Sequence, residues 1–116
     1  MARVAAHLPD LLFGSKVQGM LAAAGHEVRP IPPAGAAQGA PDADLLVLDL
    51  CEDSAARLAQ FAPAISATRT LAFYLHTDVE TRTAALAAGC ERVVPRSRMA
   101  REGADLVAAL LHREPA

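Results

Sequence analysis

The side chains best suited to chemistry in this sequence are one aspartate, one cysteine and two histidines, all at the ends of apolar stretches. Asp49 is the last charged residue of the stretch 44–50, and Cys51 follows it; His7 and His76 each come just after another apolar stretch. Carboxylate, thiolate and neutral imidazole are zinc ligands, and a cleft that gathers them is also suited to a small molecule. Their spacing matches no recognised metal motif, and a histidine at a loop edge more often hydrogen-bonds a backbone carbonyl.

The hydrophobic pattern indicates which elements position these residues. The stretch 44–50 is continuously apolar between its acids, which is typical of a buried strand in a parallel sheet and places Asp49 at the carboxyl end of that strand. The carboxyl ends of parallel strands form one edge of the sheet, where ligands of open α/β folds bind. The four side chains could therefore converge in one cleft at that edge.

Alternating apolar and turn-forming stretches predict an α/β fold with five parallel strands and helices on both faces of the sheet. Strands are predicted at residues 3–6, 27–31, 44–50, 70–75 and 92–94. Helices are predicted at residues 12–24, 55–61 and 77–88, and in a last segment that ends near His112. Pro63 is expected to end or interrupt the second of these helices. Thr77 or Asp78 caps the third, with Glu80 as a possible capping-box partner of Thr77.

The segment between the second and third strands is short and rich in helix breakers. Residues 34–42 contain Gly35, Gly39 and Pro41, each of which disfavours a long helix. We expect a loop or one irregular turn here, so that the helix usual between such strands is short or missing.

Bulk properties limit the kind of protein. A chain of 116 residues is expected to form one domain, residues 1–116, and a net charge of -2 disfavours nucleic acid as a partner. Cys51 and Cys90 show no disulfide or zinc-knuckle spacing, so a reduced, cytoplasmic setting is expected. No apolar run approaches about 18 residues and the start leads directly into a strand, so neither a membrane span nor a signal peptide is expected.

Four stretches, at residues 3–6, 22–28, 44–50 and 85–89, together resemble the receiver domain of bacterial two-component response regulators. The resemblance covers nearly the whole chain and implies a flavodoxin-like sheet with strand order 2-1-3-4-5. It also implies that Asp49 stands at the position of the phosphoacceptor.

The other parts of a working receiver differ in this sequence. The acidic pair that would bind magnesium falls on Leu8 and Pro9, with only Asp10 nearby, and neither Leu nor Pro offers a side-chain oxygen. The remaining family positions fall on different residue types: Tyr74 for the Ser or Thr, Val93 for the switch aromatic, Arg96 for the lysine and Ser97 for the proline. Without magnesium, phosphoryl transfer to Asp49 loses most of its electrostatic stabilisation. We therefore expect no cofactor, no bound metal and no acyl phosphate at Asp49.

Two questions about the arginines stay open at the sequence level. Arg96 could form a bidentate pair with Asp49 and lock the site in one conformation; alternatively, Arg96 extends to solvent and Asp49 accepts a backbone hydrogen bond. The cluster of Arg92, Arg96, Arg98 and Arg101 could bind an anion or an acidic partner. It could equally be a solvated rim compensated by Glu91 and Glu102.

The sequence thus predicts a non-enzymatic pseudo-receiver with Asp49 at an inactive phosphoacceptor position and His7, Asp10, Tyr74, His76 and Arg96 on the rim of the site. Its partner would be another protein, such as a kinase, a regulator or a second copy bound through helix four, strand five and helix five of the family's numbering. Nucleic acid and membrane are not expected as partners. The alternative is a small-ligand or metal-binding protein, possibly an enzyme, that uses the carboxyl edge of the sheet; a conventional phosphoacceptor receiver is a third possibility.

Overall fold

A computed structural model describes residues 2–31 and 42–112 of the chain. The strands are β1 (Arg3–His7), β2 (Glu27–Pro30), β3 (Leu45–Asp49), β4 (Thr70–Tyr74) and β5 (Arg92–Pro95). The helices are α1 (Leu11–Ala23), α2 (Ser54–Ala67), α3 (Val79–Ala87) and α4 (Arg96–Leu111). All strand pairs are parallel and the order is β2-β1-β3-β4-β5, which confirms the predicted α/β fold and strand order. The predicted loop at residues 34–42 lies outside the described residues except for Asp42.

The central strand β3 is buried along its whole length, because helices cover both faces of the sheet. Its side chains alternate between the two faces. Leu45 and Val47 pack into the cluster that includes the apolar residues of α1 and α4, whereas Leu46 and Leu48 pack against α2 and α3. Asp49 therefore ends a strand that has no solvent-exposed face. No helix in the described part of the chain is long and apolar enough to cross a membrane.

Two glycines let α1 approach its neighbours closely. A Cβ at Gly14 would lie 3.0 Å from the Cβ and 3.1 Å from the carbonyl oxygen of Leu8, and a Cβ at Gly103 would lie 2.9 Å from Cε of Met20. Contacts this short leave no room for a methyl group without a shift of the neighbour. The start of α1 is thus held against the loop after β1, which positions Asp10 and Phe13 at the carboxyl edge.

Helix α2 extends beyond the predicted end. It continues through Pro63 to Ala67, so the expectation that the helix ends at or before this proline is wrong. Phe61, Ala64 and Ile65 on either side of Pro63 are all buried in one cluster. Packing of this continuous apolar face outweighs the backbone hydrogen bond that a proline removes.

The start of α3 settles the choice between the two predicted caps. Asp78 is the N-cap, and its Oδ1 accepts a hydrogen bond from the backbone N–H of Thr81 at 3.2 Å. The Thr81 hydroxyl also donates to Asp78 Oδ2 and lies 2.8 Å from the Ser54 hydroxyl. This buried polar contact joins the first turns of α2 and α3 and was not predicted.

Candidate functional site

Asp49 lies at the carboxyl edge of the sheet and is only 4% exposed. Its Oδ1 accepts a hydrogen bond from the backbone N–H of Cys51 at 2.9 Å. This is an Asx turn, in which an aspartate side chain closes a turn with a backbone N–H two residues later. Of the two roles considered for Asp49, the backbone hydrogen bond is the one that the structure contains.

The neighbouring thiol of Cys51 is held in its neutral form. Burial, a hydrogen bond to the Asp49 carboxylate and the negative charge of that carboxylate raise the pKa of Cys51 to about 12. A thiol with this pKa is protonated at neutral pH, whereas a cysteine needs the thiolate to act as a nucleophile or metal ligand. Cys51 is therefore suited to donating a hydrogen bond to Asp49, not to covalent chemistry.

Arg96 contacts Asp10 and Phe13, so the Arg96–Asp49 pair, one of the two alternatives that the sequence left open, is not the arrangement found. Its Nη2 lies 3.4 Å from Oδ2 of Asp10, and its guanidinium carbon lies 4.2 Å from the centroid of the Phe13 ring. A planar guanidinium gains from stacking on an aromatic face as well as from a carboxylate, and the first turn of α1 offers both. The sequence did not indicate this arrangement, because it depends on Phe13 standing next to the end of β5.

Asp10 has two roles at the start of α1. Its Oδ1 accepts a hydrogen bond from the backbone N–H of Phe13 at 3.0 Å, which caps the helix, and its Oδ2 faces Arg96. Both carboxylate oxygens are therefore engaged. The side chains of Arg96 and Asp10 are 38% and 41% exposed, so solvent screens their ion pair.

The residues at this edge do not fit the magnesium ion that a receiver-like site would imply. Magnesium prefers several oxygen ligands in octahedral geometry, but Leu8 and Pro9 offer none from their side chains, and Asp10 is bound to Arg96. Within residues 2–31 and 42–112, no group of three or more His, Cys, Asp or Glu side chains is close enough to hold a metal ion.

His7 is buried, with 3% of its surface exposed. Its Nδ1 lies 2.8 Å from the carbonyl oxygen of Ile31, so Nδ1 must carry the proton and donate. Nε2 is then an acceptor, and this buried atom has no hydrogen-bond partner among the described residues. Burial lowers the pKa of His7, aided by the charge of Arg57 and opposed by the Ile31 hydrogen bond and by Asp49.

The two histidines line separate clefts, so the possible convergence of the four side chains in one cleft is not what the structure contains. His7 borders a cleft of about 490 Å³ between the ends of β1 and β2 and the start of α1, which Arg57 also lines. His76 borders a smaller cleft of about 300 Å³ beside Phe13 and Arg96. Asp49 lines neither of these clefts.

Two further receiver positions, Tyr74 and Val93, are part of the hydrophobic core. Tyr74 is 6% exposed and belongs, with Val93, to the cluster between the sheet and the helices α2 and α3. Tyr74 is therefore a core residue and not the rim residue that was predicted.

Arg57 is a residue of the His7 cleft that the sequence analysis missed. It precedes Phe61 by four positions in α2, and the His7 ring lies 5.0 Å from the Phe61 ring. Residues four apart lie on the same side of a helix, so the spacing of Arg57 and the apolar Phe61 was the available signal. This spacing alone could not place Arg57 beside His7, because the sequence does not indicate that Phe61 packs against the His7 ring of β1.

The arginine cluster at the end of the sheet is partly neutralised by carboxylates. Glu102 lies 3.3 Å from Arg98 and 3.6 Å from Arg101, and Arg96 faces Asp10. These contacts support the compensated rim over a free anion-binding surface.

No protein-family model matches this chain, and no curated protein sequence matches it. Solved structures do match. The non-phosphorylated HemR receiver domain from Leptospira biflexa has a TM-score of 0.80 at 16% identity, covering 100% of this chain and 98% of that one. The CheY-like protein tadZ from Pseudomonas aeruginosa has a TM-score of 0.77 at 22% identity, with coverages of 100% and 98%. NtrX from Brucella abortus has a TM-score of 0.77 at 19% identity over 95% of this chain, which spans only 27% of NtrX. The resemblance to receiver domains predicted from the sequence is confirmed at the level of the fold.

Proposed function

We propose that this protein is a degenerate receiver domain that acts in two-component signalling through contacts with another protein, without phosphorylation of Asp49 through magnesium and without enzymatic activity. The observation that carries the proposal is the engagement of Asp10, the nearest second carboxylate of the site, by Arg96 at 3.4 Å. Asp49 is left with Cys51 as its hydrogen-bond partner.

The chemistry of phosphoryl transfer explains why this arrangement is inactive. The transferred group carries charge on three oxygens, and catalysis relies on metal ions and cations that stabilise this charge. At the edge of this sheet, the acidic pair is replaced by Leu8 and Pro9, and the cation Arg96 is directed to Phe13 and Asp10. An acyl phosphate on Asp49 would thus lack its usual stabilising charges.

The same contacts favour one fixed conformation. Tyr74 and Val93 are packed in the core, and Arg96 is held between α4 and the start of α1. A domain without a phosphate signal and with its switch positions buried presents a constant surface. We infer that it works as an interaction module in a cytoplasmic setting, which its free cysteines suit.

An apolar patch on α3 supports contact through the surface formed by α3, β5 and α4. Val79 is 66% exposed and Leu86 is 42% exposed. These residues are seven positions apart, about two helical turns, and therefore lie on the same face of the helix. This stripe of two exposed apolar side chains is available for a protein contact, and its occupant would be a second copy, a kinase or a regulator.

The proposal is tested by titrating the ¹⁵N-labelled protein with beryllofluoride and magnesium and following its amide resonances. We expect no saturable change at Asp49, Leu50 or Cys51, and the same null response from an Asp49→Asn variant. Saturable changes in the wild type that the Asp49→Asn variant lacks would contradict the proposal. Incubation with acetyl phosphate and magnesium, followed by intact mass spectrometry, gives an independent readout of a covalent phosphate.

A further inference from the structure

Two side chains that line the cleft beside β1 contain buried polar atoms without a partner. Nε2 of His7 is an acceptor, because Nδ1 donates to Ile31 at 2.8 Å, and Nε of Arg57 is a donor. Neither atom has a hydrogen-bond partner among the described residues. Buried polar atoms in native proteins are nearly always hydrogen-bonded, so an unpaired acceptor and an unpaired donor beside one cleft call for an explanation.

Arg57 brings to the cleft a positive charge that is not ion-paired in the described part of the chain, although the charge of Asp49 also acts on His7. Arg57 makes one long side-chain contact, from Nη1 to Oε1 of Gln60 at 3.4 Å, and it forms none of the ion pairs found in the described part of the chain. Asp10 also lines the cleft, but both of its oxygens are engaged by Phe13 and Arg96. The electrostatics of the cleft therefore favour an anion.

The rest of the wall is mainly apolar. Its apolar residues include Leu8, Pro9, Leu11, Val28, Pro30 and Ile31, and its polar residues are Ser15 and Gln18. A cleft of about 490 Å³ lies within the range of small-molecule sites, which typically combine apolar walls with a few polar groups that fix orientation.

We propose that this cleft binds a small organic acid with an apolar body and a separate hydrogen-bond donor. The guanidinium of Arg57 holds the carboxylate and the body covers the apolar wall. A small shift of the buried His7 ring then lets a hydroxyl or N–H of the ligand donate to its Nε2. The assignment uses both unpaired atoms and the charge of the cleft. Asp49 does not line this cleft, so the assignment does not require a ligand at Asp49.

Other ligand classes fit these observations less well. A metal cation would meet the positive charge of Arg57, and the carboxylate that lines the cleft, Asp10, already has both oxygens engaged. Inorganic phosphate would match the charge of Arg57 but would leave the apolar wall uncovered.

The test is an amide-resonance titration of the full chain with 3-hydroxybenzoate, which carries a carboxylate, an aromatic body and a separate hydroxyl donor. Saturable shifts are expected at Ala6, Leu8 and Val28, which line the cleft. Benzoate lacks the donor and is expected to bind about fivefold more weakly, the effect of one lost hydrogen bond. Inorganic phosphate is expected to give no saturable shifts at these residues.

Three variants test which side chains contact the ligand. Arg57→Met keeps the apolar stem without the charge and is expected to weaken binding about tenfold or more. Arg82→Met, with the same change on the exposed face of α3, is the matched control and should bind like the wild type. His7→Phe keeps an aromatic ring against Phe61 but removes the acceptor, so it should bind 3-hydroxybenzoate and benzoate equally.

The proposal is overturned if 3-hydroxybenzoate gives no saturable shifts at the cleft, or if Arg57→Met binds it as tightly as Arg82→Met does. Phosphate binding as strong as that of the aromatic acid would also overturn it, since the apolar wall would then contribute nothing. None of these outcomes bears on beryllofluoride binding at Asp49, so this inference and the proposed function can fail separately.

Discussion

Arg96 lies over the ring of Phe13, with its guanidinium carbon 4.2 Å from the ring centroid. The Phe13 ring in turn lies 5.2 Å from the ring of Phe73 in the middle of the sheet. A cation at the start of α4 is thereby connected through α1 to the core. In the degenerate receiver that we propose, this contact also keeps the cation away from Asp49.

Replacing Arg96 should therefore lower stability. We expect Arg96→Ala to reduce the free energy of unfolding by about 1 kcal/mol, the sum of a partly exposed cation–π contact and a screened ion pair. Arg96→Lys should recover part of this loss, because an ammonium keeps the charge but cannot stack as a plane. Urea unfolding measures both changes. Arg101→Ala is the control, because Arg101 is 71% exposed; an equal loss in the two alanine variants would contradict the role of the Phe13 contact.

Two glycines of α1 should respond to alanine in opposite directions. A methyl group at Gly14 would meet the backbone oxygen of Leu8 at 3.1 Å, whereas nothing lies within 4 Å of a methyl group at Gly19. Gly19→Ala should raise the free energy of unfolding by about 1 kcal/mol through helix propensity. Gly14→Ala should lower it by about 1 to 3 kcal/mol through overpacking.

The same urea experiments measure this pair. Since both changes add the same methyl group to the same helix, a stabilising Gly14→Ala would show that the loop after β1 yields easily. It would then not position Asp10 and Phe13 firmly.

Much of the fold could be predicted from the sequence because its signals are local. The apolar stretch that ends at Asp49 and the strand-helix alternation predict a parallel α/β sheet. The order of its strands was predicted through the resemblance to receiver domains. The end of α2 could not be predicted in the same way. Pro63 is a local signal for a helix end, and it is overruled by the burial of Phe61 and Ile65, which is a tertiary effect.

The site was less predictable because its contacts join distant residues. Arg96 and Asp10 are 86 positions apart in sequence, and the choice between Asp10 and Asp49 as partner of Arg96 depends on where the Phe13 ring lies. Similarly, the separation of His7 and His76 into two clefts follows from the position of α1, which lines both. Residue types identified the edge of the sheet but not the pairing within it.

His7 should make stability depend on pH below about 6.5, the ordinary pKa of histidine. Burial lowers the pKa of His7 in the folded protein, with Arg57 also lowering it and Asp49 opposing. As the pH falls below the unfolded value, the unfolded chain takes up a proton before the folded protein does, so the free energy of unfolding decreases. The decrease continues until the pH falls through the folded pKa.

The contribution of His7 is measured by comparing urea unfolding of the wild type and His7→Phe across this pH range. As the pH is lowered, the free energy of unfolding should decrease more for the wild type than for His7→Phe, because only the wild type contains the buried imidazole. Exposed His76, replaced by Phe, is the control and should leave the wild-type pH dependence in place. A His7→Phe variant with the same pH dependence as the wild type would contradict the buried neutral imidazole.

The contact between Asp49 and Cys51 should control the reactivity of the thiol. The carboxylate is one cause of the raised pKa of Cys51, about 12, so Asp49→Asn should lower this pKa and increase the thiolate fraction. We expect faster alkylation of Cys51 by iodoacetamide in this variant at about pH 9. Mass spectrometry of peptides distinguishes Cys51 from Cys90, which is buried and whose pKa is raised to about 11. Equal alkylation rates of Cys51 in the wild type and in Asp49→Asn would show that the Asp49 carboxylate does not affect the thiol.

The exposed stripe on α3 should govern association of the protein with itself. Val79 and Leu86 are on one face of α3, and burying a new carboxylate there would cost more free energy than the contact provides. We expect the wild type to self-associate reversibly in sedimentation equilibrium. The variants Val79→Glu and Leu86→Glu should be monomeric, with little change in the free energy of unfolding. Leu12→Glu is the matched control, since Leu12 is 87% exposed but lies on α1. A monomeric wild type, or a monomer produced by Leu12→Glu alone, would exclude α3 as a surface for a second copy and leave a different protein as its partner.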